Sequence, residues 1–239
     1  ASFWDDLATH DVTWLSAVPT ILARIPAPAS RPPHGRLRFA RSASSPLPPT
    51  LATRLEEQLG VPVLEAYGMT ECTHQLASNP LPPSERKFGS VGTATGTEIR
   101  VVEGWEPVPA GVSGEVVVRG ANVVDGYLDN PGATAESFRD GWFRTGDVGV
   151  LDEDGYLRLV GRIKELINRA GEKISPREVD EALLAHPDVV EAACYGVPDN
   201  TYGEVVHAAV VVRGGVTADE LRSFCDGRIA RFKVPAVVH

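Results

Sequence analysis

The stretch from Arg36 to Tyr67 leaves this chain little choice of fold. "RLRFARS" (36–42) is a short strand-forming run, and "PTLATRLEEQLG" (49–60) sets Leu51, Leu55 and Leu59 four apart, as on one face of a helix. "VPVLEAY" (61–67) is strand-like again. Gly60 supplies the left-handed residue that ends a helix. A helix held between two such runs buries its apolar face against the sheet they form, so an α/β layer is expected, with "VTWLSAV" (12–18) as a further strand.

From Gly89 to Gly120 the texture changes to frequent glycines with alternation in "EIRVVE" and "GEVVVRG", which predicts a β-rich subdomain. A second compact unit is expected after "YLRLVGRIKELINRAGEKI". "SPREVDEALLAH" opens with Ser175 as N-cap, Pro176 at the first helical position and Glu178 where a capping box needs it. "TADELRSFC" repeats the device with Thr217 and Glu220. Between the two helices, "VVEAACYGV" and "EVVHAAVVV" flank the turn-rich "PDNTYG", so 188–213 reads as a strand pair under two helices, a small α+β unit. The Pro-rich "PAPASRPPHG" (26–35) is expected to be a surface loop.

Composition narrows the function. The 23 Lys and Arg against 32 Asp and Glu give a formal charge of -9 with no long basic cluster, which argues against nucleic acid as the main partner. Cys72, Cys194 and Cys225 form no CxxC pair, and an odd, scattered set predicts reduced thiols and a cytoplasmic setting. No apolar run approaches the length needed to span a bilayer, and the N-terminus lacks the pattern of a signal peptide.

The chemistry concentrates in "EAYGMTECTH" (65–74), where a ring, two hydroxyls, a carboxylate and an imidazole follow one strand. Gly68 would let backbone approach a ligand, Thr70 could donate to a phosphate oxygen, Glu71 could hold Mg²⁺, and Tyr67 offers a face to a base. A polar strand-to-loop turn explains the same five residues equally well in isolation. In "GWFRTGDVG" (141–149) a turn bracketed by glycines carries Asp147, whose carboxylate could accept from both hydroxyls of a ribose, although such an Asp alone more often forms a turn. Arg162 in "GRIKELINRAGEKISP" presents a rigid donor fork, or a surface ion pair. "GSVGTATG" (89–96) lacks the Gly-Lys-Ser/Thr ending of a phosphate loop and is taken as structural.

"YGMTE", "GWFRTGDVG" and "GRIKELINRAGEKISPREVD", in that order and spacing, resemble the adenylate-forming (AMP-binding) acyl-CoA synthetases over essentially the whole chain. The resemblance implies an ATP-dependent acid–CoA ligase using ATP, Mg²⁺ and coenzyme A. Residues 1–162 would be the C-terminal part of the large domain, and 163–239 the small C-terminal domain, incomplete at its end. It assigns Tyr67, with Gly68, to the adenine side, Thr70 to the α-phosphate, Glu71 to Mg²⁺, and Asp147 and Arg162 to the ribose. Ser44 and Ser45, in "SASSPLP" (42–48), would border nucleotide and acyl group. Lys164 would lie at the inter-domain hinge and Gly171 on the pantetheine path. The wording around "EAYGMTECTHQLASNPLPP" looks most like the oxalate–CoA ligase branch, in which Ser44 and His74 would hold the far carboxylate, His74 pairing with it if protonated. Gly68 stands where that branch often has alanine. A ligase for aryl or longer acyl chains and a non-catalytic AMP-binding module are the competing readings. The phosphate loop and the terminal adenylation lysine have no counterpart, Lys233 lying in the run that precedes the latter. The resemblance therefore predicts a fragment that is inactive alone.

Overall fold

The computed structural model describes residues 3–27 and 36–239. The chain opens with α1 (Phe3–Thr9), β1 (Trp14–Ala17) and α2 (Pro19–Leu22), followed by β2 (Phe39–Ser42), α3 (Pro49–Leu59) and β3 (Val63–Tyr67). The loop expected at 26–35 lies, for 28–35, outside the described residues. β1, β2 and β3 run parallel, with Ser16 opposite Arg41 and Arg41 opposite Leu64. Parallel pairing of β2 and β3 follows from the connection, because the helix between them carries the chain back to the end of the sheet where β2 began.

Helix α3 starts at Pro49, whose missing N–H costs nothing in the first turn, and stops at Gly60, which takes φ 67° and donates its N–H to Glu56 O. Its buried stripe is Ala52, Leu55 and Leu59, with Leu51 at the margin, and it packs on Leu22, Ala40, Leu47 and Val63. Burying each leucine contributes about 1.5–3 kcal/mol, which anchors the helix to one face of the sheet. Since side chains alternate along a strand, Ala40 and Val63 face α3 while Arg41 and Leu64 point to the opposite face.

Beyond β3 the chain folds back as β4 (Ala77–Ser78), and β5 (Thr93–Ala94) completes the sheet, both antiparallel. The glycine-rich 89–96 segment, expected to be structural, is tied down by its own hydrogen bonds. Buried Ser90 donates to Leu157 O at 2.9 Å and receives the Gly92 N–H at 2.9 Å. A second sheet then forms from β6 (Glu98–Glu103), β7 (Glu106–Pro107), β8 (Ser113–Arg119), β9 (Phe138–Arg139), β10 (Trp142–Leu151) and β11 (Leu157–Arg162). Its order is β11-β10-β8-β6-β7, with β9 on β10 and α4 (Pro131–Ser137) before β9.

By its internal contacts the chain divides into two compact units: Ala1–Thr145 with Gly149–Leu159, and Gly146–Val148 with Val160–His239. The second unit holds β12 (Ile167–Arg169), β13 (Glu172–Ile174), α5 (Pro176–Leu184), β14 (Val189–Asp199), β15 (Gly203–Val212), α6 (Ala218–Asp226) and β16 (Val237–Val238). The expected strand pair is β14 and β15, antiparallel, with helix residues Val179, Leu183, Leu221 and Cys225 buried in one core with Cys194, Val206 and Ala208. The sheet is larger than expected, because the β12–β13 hairpin joins it in the order β13-β12-β15-β14.

The two helix starts differ. Thr217 and Glu220 form the expected reciprocal capping box on α6. Ser175 caps no backbone N–H. Its hydroxyl donates instead to Val160 O at 2.5 Å, and both Glu178 oxygens lie 2.7 Å from Lys233 Nζ. A carboxylate gains more from an ammonium than from one amide, so Lys233 outcompetes the Ser175 N–H for Glu178.

Two glycines give a controlled stability test. A Cβ on Gly92 would lie 2.0 Å from the Ser78 carbonyl carbon at φ +86°, whereas one on Gly96, at φ +84°, meets nothing within 4 Å. Gly96→Ala is expected to cost about 1–2 kcal/mol in urea unfolding from backbone strain alone. Gly92→Ala should cost clearly more, or leave no folded protein.

Candidate active site

The carboxyl ends of β2 and β3 lie side by side in the parallel part of the first sheet, the end of such a sheet where ligands bind. Tyr67 closes β3, 7% exposed, and its carbonyl accepts the Leu76 N–H at 2.8 Å. Between these residues the chain makes one tight excursion: a 3₁₀ turn at Thr70–Cys72, then Thr73 at φ 52° and His74 at φ 84°. The His74 N–H returns to Met69 O at 3.1 Å. A Cβ on Gly68 would come within 1.4 Å of the His74 carbonyl oxygen. Glycine at this position is therefore required by the closeness of the returning loop in this chain, and alanine fits only if that carbonyl moves.

A segment following β8 pins the excursion from outside. Asn122 donates its amide to Cys72 O at 3.0 Å and Gln75 O at 3.3 Å, Thr73 donates its hydroxyl to Asn122 O, and the Val124 N–H reaches Glu71 O at 2.9 Å. This leaves the Thr70 hydroxyl on an exposed residue and Glu71 half buried. Glu71 Oε1 accepts from the Tyr127 hydroxyl at 3.0 Å, and its other oxygen has no hydrogen-bond partner among the described residues. Burial first, and the Glu71 carboxylate second, push the Tyr127 phenol up, so it stays a donor that orients the acid. Cys72 is fully buried, and desolvation, aided by the Glu71 charge, pushes its thiol up to about 12. It is no nucleophile.

His74 is exposed at the end of the excursion, and Arg41 Nη1 lies 2.7 Å from its Nε2. Arginine has donors only, so Nε2 accepts and the ring in this arrangement is the neutral form with its proton on Nδ1. A ring protonated at both nitrogens, the form suggested by the sequence for carboxylate pairing, could not accept this bond from Arg41. Ser44 and Ser45 are exposed in the loop after β2, Ser44 at φ 74°, and the Leu47 N–H anchors that loop to Glu65 Oε1 at 3.0 Å.

In the second unit Asp147 is 5% exposed and lies 3.0 Å from Arg162 Nε, so the structure brings these two predicted residues together. Asp147 sits inside the continuous strand β10 and not in a turn. Gly146, at φ +73°, lies inside this strand, where the sequence pattern reads as a glycine-bracketed turn. Lys164 is exposed in the 3₁₀ turn Ile163–Glu165 after β11. Gly171 forms with Ala170 the tip of the β12–β13 hairpin, both at positive φ, and open space surrounds the position of its absent Cβ.

Arg41, Asn122 and Tyr127 were missed in the sequence. Arg41 left a signal, a charge inside a short strand-forming run; Asn122 and Tyr127 left none, since only the fold brings them to the excursion.

Residues 1–128 match the family model of the AMP-binding enzymes, and residues 178–239 that of the AMP-binding enzyme C-terminal domain. The chain belongs to the AMP-binding enzymes. Among curated proteins it is 51% identical to an oxalate–CoA ligase of Arabidopsis thaliana, covering 98% of this chain and 47% of that protein. It is 46% identical to a sulfoacetate–CoA ligase of Cupriavidus necator, covering 98% of this chain and 47% of that protein. Its fold matches an o-succinylbenzoate coenzyme A synthetase from Bacillus subtilis in complex with ATP and magnesium ion, with TM-score 0.86, 35% identity, and coverage of 98% and 49%. This chain thus spans about half the length of these AMP-binding relatives. Among its described residues no helix is long and apolar enough to cross a membrane, and all three cysteines are free and buried.

The thiol at Cys72 gives a direct check on the site's packing. With its pKa raised to about 12, only about one thiol in ten thousand would be thiolate at pH 8. Iodoacetamide at that pH is expected to leave Cys72 unmodified in the native protein and to label it in urea. Raising the pH above about 9, where an unfolded thiol ionises, should shift unfolding to lower urea, because the buried thiol keeps its proton only in the folded state.

Proposed function

We propose that this chain belongs to an ATP-dependent acid–CoA ligase acting on a small acid that carries a second anionic group, oxalate being the leading candidate. The observation that carries the reading is the excursion Gly68–His74, which sets Thr70, Glu71 and His74 at the carboxyl end of β3 beside the Ser44–Ser45 loop of β2. Three relatives are named for oxalate, sulfoacetate and o-succinylbenzoate, acids that each bear two anionic groups.

In this reading the acid's carboxylate attacks the α-phosphorus of ATP, giving an acyl-adenylate and pyrophosphate. The CoA thiol then attacks the acyl carbon and AMP leaves. No side chain need become covalently attached. Tyr67 offers its ring to the adenine, with Gly68 keeping the backbone close; Thr70 donates to the α-phosphate; Asp147 and Arg162 hold the ribose. Ser44 and Ser45 border the nucleotide and the acyl group, and Ser44 with His74 holds the far anion. Lys164 would act at the hinge and Gly171 line the pantetheine path. The donor set fits Mg²⁺, since Glu71 is a carboxylate held at one oxygen by Tyr127 with the other open among the described residues. When bound, the ion would neutralise charge gathering on the phosphates. The domain division proposed is 1–162 and 163–239, and the location cytoplasmic.

The test uses a protein completed to the length of its relatives and follows CoA-dependent AMP release with oxalate, malonate, acetate, coumarate and octanoate. Preference for oxalate, reduced about 100-fold in kcat/KM by His74→Ala, is the expected result. Preference for a monocarboxylate would retain adenylate chemistry and remove the two-anion reading. Glu71→Gln should lower the rate with every acid, since it weakens the metal ligand and not acid recognition. The 239 residues alone are expected to show no ATP–pyrophosphate exchange.

A further inference from the structure

Arg41 stands out among the described residues. It sits in the middle strand of the parallel set, 9% exposed, and its Nε and Nη2 are buried with no hydrogen-bond partner. No carboxylate among the described residues forms an ion pair with it, and burial lowers its pKa, yet a guanidinium stays charged. Its one hydrogen bond joins Nη1 to His74 Nε2 at 2.7 Å. An uncompensated buried charge weakens a fold, so its presence at the carboxyl end of β2 calls for a reason outside packing. The surrounding residues supply one. Arg41 lies on the face opposite α3, where it adds nothing to that helix's apolar core, and its charge is spent on a ring that reaches the exposed end of the ligand-side loop.

We propose that Arg41 is a specificity-determining positioning residue: it fixes His74 as the neutral Nδ1–H tautomer and backs that donor with positive charge, for a carboxylate or sulfonate on the acid's far end. A guanidinium bond to Nε2 leaves Nδ1–H as the ring's only donor, and the unpaired charge behind it polarises that N–H toward an anion. A neutral donor backed by a permanent cation binds the far group without needing an imidazolium, so recognition does not depend on protonating the histidine. A monocarboxylic acid puts nothing against that N–H and gains nothing from Arg41. The inference rests on the two-anion reading of the site, and its test separates the two.

The experiment uses the protein completed to the length of its relatives, with histidine ring nitrogens labelled with ¹⁵N and assigned by His74→Gln. The expected spectrum of the wild type shows His74 protonated at Nδ1 and bare at Nε2; a ring protonated at Nε2, or at both nitrogens at pH 7.5, overturns the proposal. Kinetics follow with Arg41→Met and Arg41→Lys. Arg41→Met should raise KM for oxalate about 10- to 100-fold while KM for ATP and kcat/KM for acetate change less than about twofold, and Arg41→Lys should recover part of the loss. Equal loss with oxalate and acetate would make Arg41 a structural residue and overturn the proposal. Should Arg41→Met fail to fold, the wild-type spectrum still decides. A wild type with no preference for oxalate over acetate would sink the two-anion reading itself, an outcome distinct from a wrong tautomer.

Discussion

The contact between Gly68 and the carbonyl of His74 is the constraint on which the site depends. No side-chain atom fits between them, and only because none is present can the chain leave β3, turn through one 3₁₀ turn and re-enter the sheet as β4. Seven residues are thereby compressed into one loop. The acid at Glu71 is half covered, the hydroxyl of Thr70 remains at the surface, and the imidazole of His74 is carried sideways to β2. Had the loop been longer, the same residues would project from a mobile segment and would pay more ordering entropy to meet a ligand. Here the backbone hydrogen bonds of Leu76, His74 and Val124 have already fixed them.

Much of this was legible because it rests on local chemistry. Gly60 ends α3 where the pattern required, Thr217 and Glu220 cap α6 because both partners lie within one turn, and the 204–212 run pairs as β15 because its apolar residues extend over a full strand. The three motifs likewise carried their residues in the sequence, and the Asp147–Arg162 pair joins two of them. What failed was decided at a distance. Ser175 loses its capping role to a carbonyl fifteen residues earlier and Glu178 to a lysine fifty-five residues later, and nothing in "SPRE" announces either rival. Asp147 was misread for a related reason: glycines on either side read locally as a turn, whereas β10 runs continuously through Gly146.

The site shows the same division. Tyr67, Thr70 and Glu71 could be named from five consecutive letters. The supports of this loop could not, because Tyr127 reaches Glu71, and Asn122 reaches Cys72 and Gln75, across about fifty residues of sequence. Arg41 is the intermediate case, visible as a charge within a strand, while its surroundings waited on the loop that brings His74 to it. Groups proposed to touch a ligand are confined to the few residue types the chemistry permits. Groups that hold them in place are chosen by geometry, and many side chains would serve.

The unpaired guanidinium of Arg41 also bears on how this protein would respond to redesign. Any procedure that ranks substitutions by fold stability should favour a well-packed apolar residue at this position, since it removes a stranded charge from the interior of a sheet. On the role proposed for Arg41, such a variant would look improved by melting temperature while losing discrimination among acids. Robustness and selectivity would then pull in opposite directions at one strand position, and selection for heat tolerance alone would trade the second for the first.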